Sequence, residues 1–297
     1  MSDASKDRVV LVTGAGKGLG RAFALAAAAS GARVVVNNRQ REGAADSAGA
    51  VAEEIKAAGG EAIAERSDIA APGAAEAMVA AAKSAFGRLD ALILNAGIRG
   101  DALRFEKTPR DAFDEIMTVN FTAQVDLVRA ALPELNAGGA GRLVFVSSSA
   151  GMYGIGGFSP YSASKGAVRA FAGALAHEHR RGPLRVNVLA PYATTRMTEH
   201  ALTGELGDTF RPEGCAPLAA WLADARCKRH GELWVAGGGY IRRASMMEGT
   251  GGLIPDPITG DADLDAAASL DGAQDFGDGE ASFRDLAERL MRAGGTR

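Results

Sequence analysis

A phenol and an ammonium four residues apart on a helix share one face, and Tyr161 and Lys165 in Tyr161-Ser162-Ala163-Ser164-Lys165 have that spacing. A free tyrosine, with a pKa near ~10, moves protons poorly at neutral pH, but a fixed cation beside it stabilises the phenolate and lowers that value. Such a pair can pass a proton to or from an alcohol oxygen. Two further polar groups stand upstream. Ser148 follows the apolar run 141–147, and Asn120 falls inside an amphipathic helical pattern from about Pro109 to Leu132. A core-facing amide needs a partner, whether in a reaction or at a kink in its own helix. Taken alone, Tyr161 and Lys165 read first as a surface phenol and a solvated lysine. The elements around them decide.

Those elements begin with Arg8-Val-Val-Leu-Val-Thr13, an apolar run without helical spacing, then Gly14-Ala-Gly16-Lys17-Gly18-Leu19-Gly20 and an Ala-rich helical stretch to Ser30. Strand, glycine turn and helix in that order let backbone approach a pyrophosphate, with the free N–H groups of the helix start directed at it. Ala32–Asn37 is a second strand, ending at Asn37-Asn38-Arg39 where an adenosine ribose would be read. An acid there would hold ribose hydroxyls and repel a 2′-phosphate. Asn38 is neutral, and Arg39 and Lys17 are cationic, so NADP is expected, with NAD possible.

An Ala/Glu/Lys-rich helical segment, 42–58, leads to a third strand at 61–66. Asp68 and Ile69 follow it, and the carboxylate is suited either to an adenine amino group or to capping the helix after Pro72. A fourth strand, 88–94, ends in the turn Asn95-Ala96-Gly97, against which a ribose or flat ring could lie. The fifth strand ends at Ser147, the helix carrying Tyr161 starts near Ser159-Pro160, and the sixth, 184–190, ends at Pro191. The polar passage 192–212, with Thr194, Thr195, Arg196, Met197 and Thr198, is suited to closing over a nicotinamide or substrate. A helix at 214–224 and a last strand at 231–236 follow. Asn120, Ser148 and Tyr161 thus fall at one edge of a parallel sheet, where open α/β sheets bind ligands.

With 297 residues and 47% hydrophobic content the chain can bury a large core. A net charge of −3 gives no basic field for nucleic acid or anionic membrane. Cys215 and Cys227 have no ligand cluster near them, so no metal site and no disulfide framework is expected. No apolar run of transmembrane length occurs, and the polar start Met-Ser-Asp-Ala-Ser-Lys points to a cytoplasmic protein. The division expected is a domain over 1–245 and an acidic extension over 246–297. The extension has 11 Asp/Glu against 4 Arg, while the rest has 25 acids against 29 bases. It is too rich in Gly and Asp to make its own core, carries a short helix around 282–292, and would pack over the substrate entrance or on a neighbouring subunit.

Together Thr13-Gly14-x-x-x-Gly18-x-Gly20, Asn95-Ala96-Gly97, Asn120, Ser148 and Tyr161-x-x-x-Lys165 resemble the short-chain dehydrogenase/reductase family over about residues 6–245. The resemblance implies an α/β doubly wound Rossmann sheet of about seven parallel strands with helices on both faces, assembled as a homodimer or homotetramer. It implies that Tyr161 is the acid/base, that Lys165 lowers its pKa and holds the nicotinamide ribose, that Ser148 bonds the substrate oxygen and that Asn120 anchors a relay water. Cofactor contacts would come from Gly14, Lys17, Gly18, Leu19, Gly20, Asn38, Arg39, Asp68, Ile69, Asn95, Ala96, Gly97, Tyr161, Lys165, Pro191 and Thr194. Val34–Asn38, Leu189–Pro191 with Arg196–Thr198, Ala216–Leu218 with Ala220–Leu222, and Gly237–Ile241 are similar to the (3R)-hydroxyacyl-CoA dehydrogenase module of multifunctional β-oxidation enzymes, which implies a 3-hydroxyacyl-CoA or steroid-like alcohol and a role in lipid metabolism. That branch usually has Asp where this chain has Asn38, and the wider family commonly has Pro-Gly where it has Pro191-Tyr192. A 3-oxoacyl-[acyl-carrier-protein] reductase, a polyol dehydrogenase and a non-catalytic dinucleotide sensor are the alternatives.

Overall fold

The computed structural model describes residues 7–195, 203–253, 264–265 and 268–292. Arg196, Met197 and Thr198 therefore lie outside the described residues. The chain divides into two compact units, 1–243 and 244–297.

In the first unit, short runs of Val, Leu and Ile form the strands of one sheet: β1 (Val9–Val12), β2 (Arg33–Asn37), β3 (Ala62–Glu65), β4 (Ala91–Leu94), β5 (Arg142–Val146), β6 (Arg185–Pro191) and β7 (Leu233–Gly237). Their spatial order is β3-β2-β1-β4-β5-β6-β7, and the registered pairs are parallel, with Leu11 between Val35 and Leu92. Residues of β1, β4 and β5 are buried throughout, because helices cover both faces. Val10 and Val12 join a core with α1 (Gly18–Ala29), α2 (Ser47–Ala57) and α9 (Ala216–Leu222). Leu11, one step along the strand, points to the opposite layer. On that layer α3 (Ala74–Phe86) packs on α5 (Ala123–Ala137), and α7 (Ser159–Glu178) sets Phe171 edge-on against Phe145 of β5 and Phe121.

The sheet has eight strands rather than seven. Gly238 and Gly239 both take positive φ, +55° and +81°, and so make a two-residue turn that folds β8 (Tyr240–Ala244) back along β7. A connection that short can join only antiparallel neighbours. The helical pattern over 109–132 is also not one helix. It divides into α4 (Arg110–Met117), one turn of π-helix at Thr118–Thr122 and α5, with Asn120 at the centre of the π turn. The passage 192–212 carries a short helix, α8 (Gly204–Thr209).

The chain reverses its winding between β1 and β4, so the loops after these two strands open side by side at the carboxyl edge of the sheet. The second unit holds a two-stranded antiparallel ribbon, Met247–Glu248 with Gln274–Asp275, and a helix at Gly279–Arg292. Inside it Ser282 donates to Glu248 at 2.9 Å, and Arg289 pairs with Asp285 at 2.6 Å.

Candidate active site at the carboxyl edge of the sheet

The glycine loop is shaped by close backbone approach. Gly14 has φ +63°, and a Cβ there would lie 2.9 Å from Ala96 Cα; a Cβ on Gly20 would lie 2.2 Å from the Gly14 carbonyl oxygen. Three side chains brace it. Thr13 Oγ1 accepts from the backbone N–H groups of Asn95 and Ala96, both at 3.0 Å, and Asn95 Nδ2 donates to the Thr13 and Gly14 carbonyls at 3.0 and 3.3 Å. Asn37, buried at the end of β2, accepts from Gly14 N at 3.5 Å and donates to Glu65 at 2.6 Å. Asn95 therefore acts on the loop with its side chain, while Gly97 presents backbone to the crevice.

Helix α1 opens at Gly18 with Lys17 as its N-cap and no side-chain cap, and Gly18 and Leu19 are half-buried. A twelve-residue helix with uncapped first-turn N–H groups facing a glycine loop fits the pyrophosphate of a dinucleotide. Beside it Asn38 donates to Ser47 Oγ at 2.8 Å, and a Cβ on Gly16 would strike that pair. Arg39 pairs with Asp68 at 3.0 Å, and both side chains are about a third exposed. Asp68 also accepts from Ala70 N; burial opposes its ionisation, but these two partners hold its carboxyl below the usual range. It does not cap α3, whose N-cap is Gly73 in the left-handed region. Ile69 is buried next to it.

Across the crevice stand the polar groups of β5, the π turn and α7. Asn120 is fully buried. Its Oδ1 accepts from Ile98 N at 2.7 Å, and its Nδ2 donates to Ile98 O at 2.8 Å and to Ser164 Oγ at 3.0 Å. The widened turn gives the amide room to pair with both backbone groups of one residue in this way. Ser164 Oγ in turn donates to the Tyr161 carbonyl at 2.8 Å. Lys165 is 3% exposed, its Nζ donates to Val146 O at 2.8 Å and lies 5.9 Å from the centre of the Tyr161 ring. Ser147 Oγ donates to Lys165 O at 2.8 Å, and a Cβ on Gly151 would lie 2.5 Å from the Lys165 carbonyl carbon, so α6 (Ala150–Tyr153) and α7 touch backbone to backbone there. A Cβ on Gly97 would lie 3.1 Å from Asn120 Oδ1 and 3.4 Å from Lys165 Nζ.

Ser148 Oγ accepts from Ala150 N at 3.1 Å, and its hydroxyl lies near enough to the Tyr161 phenol to favour the phenolate. Burial raises the phenol pKa above its usual value, against the Ser148 hydroxyl and the charge of Arg99, which lower it. Burial also lowers the Lys165 ammonium to about 8. Desolvation thus governs both groups, the reverse of the balance their helical spacing alone suggests. Further along the edge, Pro191 ends β6 and Thr194 Oγ1 donates to Gly207 O at 2.9 Å, tying this strand exit to α8.

The structure therefore brings Asn120, Ser148, Tyr161 and Lys165 together, facing the glycine loop across the carboxyl edge. Sequence reasoning passed over Ser147, Ser164 and Ile98, which hold these groups in place. Ser164 lies within the Tyr161–Lys165 pentapeptide, whereas the Ile98 contact is made by backbone and has no side-chain signature.

A short chain dehydrogenase family model matches residues 8–205, which include every element of this site up to Thr194. The chain belongs to that family. This short-chain dehydrogenase is an oxidoreductase acting on CH–OH groups, and the family uses a nicotinamide dinucleotide. It is 36% identical over 252 residues to the peroxisomal multifunctional enzyme type 2 of Mus musculus, covering 83% of this chain but 34% of that protein. The chain thus spans about a third of that relative's length. A short chain dehydrogenase from Mycobacterium avium superposes with TM-score 0.77 at 37% identity, over 91% of this chain and 96% of that one. The full-length peroxisomal multifunctional enzyme type 2 from Drosophila melanogaster superposes with TM-score 0.80 at 26% identity, over 97% of this chain and 50% of that one. Among the described residues, no His, Cys, Asp and Glu cluster could hold a metal ion, and no helix is long and apolar enough to cross a membrane.

Proposed function

We propose that this dehydrogenase interconverts a secondary alcohol and a ketone on a 3-hydroxyacyl-CoA or a bulky apolar, steroid-like substrate, with NADP as cofactor. The observation that carries the chemistry is the gathering of Ser148, Tyr161, Lys165 and Asn120 at one strand edge, with Lys165 Nζ 5.9 Å from the Tyr161 ring centre and Asn120 linked through Ser164 to the Tyr161 carbonyl. Bound on the glycine loop and the start of α1, the dinucleotide supplies hydride transfer. Tyr161 exchanges a proton with the substrate oxygen and Ser148 orients that oxygen. Lys165 and Asn120 form the inner end of a proton path from Tyr161.

The substrate class rests on likeness to multifunctional enzymes, among them a Saccharomyces cerevisiae hydratase-dehydrogenase-epimerase that is 36% identical over 263 residues. The cofactor choice rests on Asn38 and Arg39, which set a neutral amide and a cation, not an acid, beside the glycine loop. Assembly as a homodimer or homotetramer belongs to the same reading.

The test is to follow reduced-nicotinamide absorbance with NADP⁺ and a series of 3-hydroxyacyl-CoA thioesters, 3-hydroxyacyl-acyl-carrier-protein thioesters, apolar secondary alcohols and polyols. Turnover concentrated on the thioesters or the apolar alcohols is expected. Activity confined to polyols, or to acyl-carrier-protein thioesters, would replace this substrate assignment.

A further inference from the structure

The amide of Gln124, near the start of α5, is 1% exposed, and only one end of it is engaged. Its Nε2 donates to Ala96 O at 3.2 Å, while among the described residues its Oε1 meets no donor. The acceptor fixes which way round the amide lies, since an oxygen turned toward the Ala96 carbonyl would be repelled. Gln40 and Gln274, the other glutamines of the chain, are exposed. An unpaired acceptor in the interior costs stability that an apolar side chain of the same length would keep. The buried amide is therefore to be explained at its bonded end.

That end holds the turn after β4. Both backbone polar groups of Ala96 and both of Ile98 are engaged by side chains. Thr13 Oγ1 accepts from Ala96 N at 3.0 Å and Gln124 donates to Ala96 O, while Asn120 takes Ile98 N and O at 2.7 and 2.8 Å. Gln124 stands four residues beyond Asn120, one turn along the same helical face. The two amides thus grip the chain on either side of Gly97, which itself comes close to Asn120 Oδ1 and Lys165 Nζ.

We propose that Gln124 is a positioning residue for the dinucleotide, its N–H group holding the Ala96–Gly97 peptide in the one orientation that receives the nicotinamide ribose. This rests on the reading above in which the turn 95–97 lines the cofactor. A trans peptide is planar, so an Ala96 oxygen drawn toward Gln124 turns Gly97 N–H away from α5. Beside a glycine, whose backbone is permissive, this is the peptide of the turn most easily rotated. Thr13 holds the peptide before it and Asn120 the one after it, so Gln124 supplies the grip that those two leave out. A surface fixed in advance binds more tightly than one that must be ordered by its ligand.

The test compares wild type with Gln124→Met, which keeps the length without the donor, and Gln124→Glu, which donates only when protonated. Dissociation constants for NADPH and NADH are measured by calorimetric titration from about pH 5.5 to about 8.5, the range in which a buried carboxyl titrates. A hydrogen bond of this kind corresponds to about threefold to tenfold in an equilibrium constant. Q124M should weaken both cofactors by that factor at every pH, because the turn meets a part they share, whereas Arg39→Ala acts on the 2′-phosphate alone. Q124E should bind as wild type does in acid and fall behind it as the carboxyl ionises, a trend that mere loss of packing would not produce. Unchanged affinity in a folded Q124M overturns the proposal, as does a Q124E-to-wild-type ratio that is independent of pH. If neither variant folds, the wild type decides. Glutamine-selective ¹⁵N labelling gives three side-chain amides. That of Gln124, the slowest to exchange with solvent, must shift as NADP⁺ is added, and an unmoved signal overturns the proposal equally. A wild type that binds neither dinucleotide would instead overturn the cofactor reading itself.

Discussion

Replacing Asn120 by alanine removes three hydrogen bonds at once, and their partners differ in what they lose. Ser164 Oγ keeps its bond to the Tyr161 carbonyl. Ile98 is left with both backbone groups unpartnered in a half-buried position. A stranded buried polar group costs ~1–3 kcal/mol, and the partial exposure of Ile98 sets the sum at about 2–4 kcal/mol. At ~2–4 °C per kcal/mol for a domain of this size, the midpoint of thermal unfolding should fall by about 5–10 °C. Asn120→Asp is the informative companion, because its carboxylate can still accept from Ile98 N but presents oxygen to Ile98 O. It should recover part of the stability and little of the turnover. Thermal unfolding with parallel activity measurements decides the matter. An N120A protein within ~0.5 kcal/mol of wild type and fully active would show that the clamp on Ile98 neither holds the π turn nor shapes the site.

Lys165 predicts a pH dependence of stability. Its pKa falls from 10.5 to about 8 on folding, so between those values the unfolded chain binds more protons and stability should rise with pH, by up to ~3 kcal/mol. Urea unfolding from pH 7.5 to 10 should show this rise in wild type and lose it in Lys165→Met; parallel curves would refute it. Arg39→Ala should weaken NADPH binding about tenfold or more and leave NADH nearly unchanged by calorimetric titration, and equal effects on both would remove the NADP assignment. Truncation after Ser245 should change substrate KM or assembly, read by kinetics and light scattering, and an enzyme unaltered in both would show that the acidic segment serves neither.

Much of this arrangement is legible in the chain because short strands of Val, Leu and Ile and glycines at close approaches leave local signals. The Gly14–Gly20 loop, the β4 turn and the Tyr161 helix fall where residue type and spacing put them. The π turn does not, since Asn120 sits in an uninterrupted amphipathic pattern and its widening depends on Ile98, twenty-two residues away. The eighth strand rests on two consecutive positive-φ glycines that also read as the end of a strand. Asn37 reads as part of a ribose-reading pair, yet its side chain is spent on Gly14 and Glu65, partners that the pairing of β2 with β1 on one side and β3 on the other brings to it. The balance of charge around Tyr161 was equally hidden, because helical spacing says that Lys165 is near but not that both groups lose water.

The most direct measurement is single-turnover reduction by Tyr161→Phe, with NADPH affinity determined on the same preparation. Loss of the phenol hydroxyl should reduce the rate by about 10³-fold or more while the dissociation constant for NADPH moves less than about threefold. A variant that still transfers hydride at a rate near wild type would show that the proton comes from another group, and the role assigned to Tyr161 would be wrong.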